Sequence, residues 1–231
     1  MGRFAELLAL GLVVTAGAGA DARAQTVADG RVYAVTYVEV MPSSVGDAVR
    51  LLTRYRDATR RQEGNVRCEV VQRIGHPHQL VVLEIWKDRT TFDGHGGAAG
   101  TAETRARLAS LRIAPADERV HGALSVAEPG APPPRDAVYV VTHVDVVPPR
   151  KDDGAAALRR LGESSRTADG NLRFEVVQQT SRPNHFTVVE VWRDATVVEL
   201  HSMAPATREF RDALAPMTGA LYDERMYRAI D

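Results

Sequence analysis

A tryptophan and a histidine stand nine residues apart twice in this chain, as Trp86 with His95 and as Trp192 with His201. A glutamate precedes each indole by two residues, Glu84 and Glu190. An imidazole near its ordinary pKa of about 6.5 can act as acid, base or anion partner, or can hold a helix to a strand by a hydrogen bond. A carboxylate two residues from a tryptophan on a strand shares its face. There it is either buried and perturbed or paired with an arginine, and Arg67 and Arg173, one strand over, are the expected partners. His76-Pro77-His78 reads as an exposed hairpin tip without a third ligand, so no metal site is expected. Cys68 stands where the second half of the chain has Phe174, which makes it a small buried hydrophobe rather than a nucleophile. The paired-histidine helix of zinc peptidases, a phosphate-binding glycine loop and a serine nucleophile elbow are missing.

The elements that must hold these groups occur twice. Val32-Tyr33-Ala34-Val35-Thr36 returns as Val138-Tyr139-Val140-Val141-Thr142, Gly64-Asn65 as Gly170-Asn171, and Asp117-Glu118-Arg119 as Asp223-Glu224-Arg225, always at an offset of 106 residues. In the first copy, residues 32–41 alternate as a strand, and 45–62 carry apolar residues at helical spacing. Gly64 offers the left-handed residue that stops that helix. Residues 66–73 and 79–87 form a hairpin, Asp88 caps a short helix bearing Phe92 and His95, 101–112 form a second helix, and 117–124 a fourth strand. The order is β-α-β-β-α-β, a ferredoxin-like unit, over residues 31–124 and again over 138–231, with the proline-rich linker 125–137 between them. The run Leu80-Val81-Val82-Leu83 is apolar on both faces. One face lies under the unit's own helices, and the other needs a second sheet. Burying roughly 600 Å² of it is worth on the order of 15 kcal/mol before entropy. The fold class expected is therefore α+β, two tandem units packed sheet to sheet as an internal pseudo-dimer. The rival arrangement pairs each copy with a copy from another chain, and the oligomeric state stays open between a monomeric pseudo-dimer and a homo-oligomer.

The 231 residues are 44% hydrophobic and 26% charged with a net charge of −1, the profile of a globular protein with no electrostatic reason to bind nucleic acid. The start reads as a secretory signal: the apolar stretch from Leu7 to Ala20, then Ala22-Arg23-Ala24, with cleavage expected after residue 24. A periplasmic or secreted protein with no membrane attachment after cleavage is expected.

The repeated unit, its Gly-Asn-Xaa-Arg-Xaa-Glu-Val strand, the Glu-Xaa-Trp-Xaa-Asp strand end and the histidine nine residues past the tryptophan resemble the antibiotic biosynthesis monooxygenase domain. The resemblance implies a dimeric α+β barrel. It also implies one of two chemistries: cofactor-independent oxygenation of anthrones and quinols, or heme degradation. In the first, a phenolic substrate is deprotonated, its anion passes an electron to O2, and the radical pair recombines at carbon. The partners are then a small aromatic substrate and O2, with no cofactor. By this resemblance Trp86, His95, Trp192 and His201 are the expected catalytic residues, each tryptophan either walling a pocket or filling the core. Thr36, Tyr37, Glu84, Thr142, His143 and Glu190 are expected to contact substrate. Heme-degrading relatives carry an asparagine where this chain has Thr36 and Thr142. That departure argues against heme oxygenation, although His95 or His201 could still ligate iron. A non-catalytic or heme-binding pocket is the alternative function. Tyr37 and His143 occupy equivalent positions yet differ, so the two pockets are expected to have diverged.

Overall fold

The computed structural model describes residues 29–230, so the expected signal segment, residues 1–24, lies outside the described residues. The alternating run at the start of the first copy forms β1 (Val32–Glu39). It is followed by α1 (Val45–Thr59), β2 (Asn65–Arg73), β3 (Gln79–Trp86), α2 (Arg89–Gly96), α3 (Ala99–Ala109) and β4 (Asp117–Ser125). The second copy repeats this as β5 (Val138–Asp145), α4 (Lys151–Ser165), β6 (Asn171–Gln179), β7 (His185–Trp192), α5 (Ala195–Ser202), α6 (Pro205–Leu214) and β8 (Asp223–Ala229). No helix among the described residues is long and apolar enough to cross a membrane.

Local chemistry sets these boundaries. Gly64 adopts φ +79°, and a Cβ there would collide with Thr91 Cγ2. Only glycine allows both the left-handed turn and the close approach of the chain to the start of α2. That start is a capping box: the Asp88 carboxylate accepts from the Thr91 backbone N–H at 2.8 Å, while Thr91 reaches back to the Asp88 N–H.

The strands close into a barrel in the order β1-β3-β2-β8-β5-β7-β6-β4, every neighbouring pair antiparallel. Each copy contributes four adjacent strands, and the copies join where the fourth strand of one extends the sheet of the other. Val71 of β2 lies opposite Ala229 of β8, and Ala123 of β4 lies opposite Val177 of β6. The expected internal pseudo-dimer is therefore closed at its edges as well as covered on its faces.

Strand alternation divides the side chains into two sets. Val35, Val71, Leu83, Tyr139, Val141, Val191 and Tyr227 point into the lumen and fill it. The outward residues Val38, Val70, Leu80 and Val82 pack beneath α1 and α3. At one end of the lumen, Arg67 donates to Glu175 at 2.6 Å, and Arg173 donates to Glu69 at 2.7 Å. The 106-residue offset turns one of these bonds into the other, so they mark the pseudo-two-fold axis. Burial alone would raise the Glu69 carboxyl, but Arg173 and Arg67 outweigh it and hold the pKa below the usual range. The expectation that Arg67 and Arg173 pair with Glu84 and Glu190 is overturned. Glu84 sits opposite Cys68, and Glu190 opposite Phe174, so both carboxyls take the helix-facing side, one pleat away from the arginines.

Candidate functional site

In the first copy, β3 and α2 bring Trp86 and His95 into a stack, ring centroids 4.5 Å apart and planes 29° from parallel. The Tyr55 hydroxyl, from α1, lies 2.7 Å from His95 Nε2 and 3.0 Å from Glu84 Oε1. His95 Nδ1 lies 2.8 Å from Gln62 Oε1. Because that oxygen only accepts, Nδ1 carries the hydrogen and Nε2 accepts from Tyr55. A protonated Glu84 can then donate to the tyrosine oxygen, while an ionised Glu84 competes for the phenol proton. Burial pushes Glu84 up to about 7, against the opposing Tyr55 hydrogen bond. Burial, with Arg105 nearby, pushes His95 down to about 4. Burial and the Glu84 carboxyl raise the Tyr55 hydroxyl far above its ordinary value. The cluster is a chain of proton donors and acceptors in which Glu84 is the group tuned to neutral pH.

A cavity of about 470 Å³ lies between the outer face of β1 and β3 and helices α1 and α3. Val38, Leu52, Val82 and Leu108 give it apolar walls, and Thr36, Tyr55, Arg105, Arg112 and Glu118 give it polar points. Its size falls within the roughly 300–1,000 Å³ of small-molecule sites. Tyr55 is the member of the cluster that reaches this cavity. Glu84, Trp86 and His95 stand behind it, nearly inaccessible. Of the two roles expected for the indole, wall or core, Trp86 takes the second: it packs beneath α2 beside Phe92, and its stacking fixes the His95 ring.

The second copy keeps the stack and loses the rest. Trp192 and His201 lie 4.4 Å apart, and Trp192 Nε1 donates to Glu190 at 2.7 Å. Burial pushes Glu190 up to about 8, against that hydrogen bond. The counterpart of Tyr55 is Leu161, and that of Gln62 is Ala168. Three further exchanges enlarge side chains: Cys68 becomes Phe174, Thr104 becomes Phe210 and Ala116 becomes Tyr222. Phe174 and Phe210 share one hydrophobic cluster with Tyr222 packed against it. The void left beside Glu190 and His201 is about 10 Å³, while a shallower groove of about 350 Å³, lined by Arg211, Leu214, Thr218 and Tyr222, takes the place of the outer part of the first copy's cavity; Tyr222 borders both spaces. Thr142, the counterpart of Thr36, is fully buried, and its hydroxyl has no hydrogen-bond partner among the described residues.

Tyr37 and His143 are not with these groups. Each follows its threonine by one residue and so points into the barrel, where Tyr37 packs under Arg119 and His143 stacks on His185. Thr36 and Glu84 serve the first site, at its wall and behind it; Thr142 and Glu190 lie in the filled half. Neither His95 nor His201 lines the 470 Å³ cavity, and both ring nitrogens of His95 are hydrogen-bonded within the protein. His76 and His78 lie at the β2–β3 turn, and no cluster of three or more metal-ligating side chains occurs among the described residues. Sequence reasoning missed Tyr55, Arg105, Arg112 and Glu118. A position-by-position comparison of the copies marks two of them, since Tyr55 becomes Leu161 and Arg112 becomes Thr218.

The family model for antibiotic biosynthesis monooxygenase matches residues 31–107 and again 137–213. A stretch of 75 residues is 27% identical to an uncharacterized protein of Synechocystis sp.; it covers 32% of this chain and 51% of that protein, so the chain spans about half the length of the curated relative it matches. Among solved structures, a proposed monooxygenase of Fusobacterium nucleatum superposes with a TM-score of 0.78 at 14% identity, covering 87% of this chain and 93% of that one. A proposed monooxygenase of Lactobacillus acidophilus gives 0.71 at 11% identity over 87% and 94% of the two chains. An anthrone oxidase-like protein gives 0.69 at 15% over 88% and 92%. At these identities the likeness shows a shared fold.

Proposed function

Since the chain belongs to the antibiotic biosynthesis monooxygenase family, we propose that its first copy oxygenates a small phenolic aromatic of the quinol or anthrone kind, with O2 as co-substrate and no cofactor. The observation that carries this reading is the apolar cavity of the first copy, one end of which is the Tyr55 hydroxyl bonded to Glu84 and His95. A substrate hydroxyl set against Tyr55 Oη gives up its proton through the phenol to the Glu84 carboxylate. The resulting aryl oxide passes one electron to O2, and the two radicals combine to form a carbon–oxygen bond. The hydroperoxide then loses water, so a phenol with a free ring position and one O2 become a quinone and one H2O. An acid near 7 suits proton transfer in both directions at neutral pH. His95, held neutral, keeps Tyr55 in place. The apolar walls exclude water from the anion and the radical pair.

The test is oxygen uptake with a panel of hydroquinones and anthrones. The expected result is one O2 consumed per quinone formed, with Tyr55→Phe lowering the rate by about 100-fold at unchanged thermal midpoint, the scale of a lost acid–base group. An absence of turnover across the panel, or a Tyr55→Phe protein as fast as the parent, would refute the proposal.

A further inference from the structure

The cavity has two unlike ends. Ala34, Thr36, Val38 and Val40 follow one another along the helix-facing side of β1 and its extension. Ala34 pairs with Glu84, which bonds the Tyr55 hydroxyl, and Tyr55 lines the cavity. Val40, further along the same face, bridges to Arg112. Arg112 lines the same cavity and is half-buried, yet its guanidinium has no ion-pair or side-chain hydrogen-bond partner among the described residues. The other arginine of the wall is committed: Arg105 bonds Glu118 at 3.1 Å and the Gly96 carbonyl at 3.1 Å. The second copy retains this committed pair as Arg211 and Glu224, 3.3 Å apart, but has Thr218 in place of Arg112. The uncommitted positive charge therefore occurs in the copy whose cavity reaches Tyr55 and is missing from the copy in which the equivalent space is a shallower groove cut off from its glutamate and histidine.

We infer that the ligand of the first copy is an elongated aromatic carrying a carboxylate at the end opposite its phenolic hydroxyl, and that Arg112 receives that carboxylate. The inference rests on the open cavity of the first copy being the substrate site. The planar guanidinium fork matches a carboxylate in a bidentate pair. The walls of Val38, Leu52, Val82 and Leu108 take the ring body between the two polar ends. Arg112 sets orientation: with the carboxylate held there, the far hydroxyl is directed at Tyr55.

Titration calorimetry under anaerobic conditions tests this without turnover, using 6-hydroxy-2-naphthoate and its uncharged counterpart 2-naphthol. The expected result is at least tenfold tighter binding of the acid at low salt. Arg112→Gln abolishes that advantage and leaves 2-naphthol within twofold of the parent value. The surface control Arg107→Gln keeps the advantage. Equal affinities for the two probes, an equal loss of both in Arg112→Gln, or no binding of either at millimolar concentration would overturn the inference. A protein that prefers the acid through Arg112 yet consumes no O2 removes the oxygenase proposal and leaves this one standing.

Discussion

Burial acts in opposite directions on the two kinds of group beneath the helices. It pushes Glu84 up to about 7 and Glu190 up to about 8, and it pushes His95 and His201 down to about 4. In an unfolded chain these groups titrate near 4.3 and 6.5. Between about pH 4.5 and 6.5 the native carboxyls hold protons that the unfolded chain has lost, while the native imidazoles lack protons that the unfolded chain has gained, so the two contributions oppose one another. Above pH 6.5 the carboxyls remain alone. The native state then binds more protons than the unfolded state, and stability falls as pH rises through the folded values. From pH 6.5 to 8.5 we expect a loss of about 2–3 kcal/mol, or roughly 5 °C in thermal midpoint, and expect Glu84→Gln with Glu190→Gln to remove most of it. A melting series across that range checks both. That each glutamate shares a face with its tryptophan is legible from strand alternation. That Tyr55 bonds Glu84 is not, because it depends on how α1 lies across β3, a tertiary register no local spacing encodes.

The helices and strands of the two copies superimpose in order while their linings diverge. The chain order of each unit follows from periodicity and turn residues, and β1 to β4 fall close to where alternation places them. The filling of the second half is less legible. Cys68 against Phe174 reads as one core exchange. Its meaning appears only when α6 and the start of β8 bring Phe210 and Tyr222 to the same spot. The divergence gives a direct experiment on the first half. Thr104→Phe with Ala116→Tyr supplies it with the rings that its counterpart uses. Because these rings enter existing space rather than a packed core, the thermal midpoint should hold or rise, while O2 uptake and ligand binding fall at least 100-fold. Calorimetry and an oxygen electrode on the double variant measure the two effects separately.

At the scale of the molecule, two sets of contacts tie the halves together: the β2–β8 and β4–β6 ladders, and the crossed pairs Arg67–Glu175 and Arg173–Glu69. Removing one carboxylate of a buried pair strands its arginine. Glu175→Gln should cost about 3 kcal/mol and lower the thermal midpoint by roughly 10 °C, with Arg67→Met plus Glu175→Leu recovering much of the loss. Thermal unfolding of the single and double variants decides it. The internal repeat makes a pseudo-two-fold axis legible in the sequence. The arginine partners are not, since the crossing bonds join residues more than 100 positions apart. The joining of the halves through residues 125–137 into one polypeptide has an evolutionary consequence. In a homodimer, a single gene writes every substitution into both subunits, so a bulky ring that blocks one active centre blocks its mate. A fused gene mutates each half independently, so the bulky side chains that line one half leave the other half's lining unchanged.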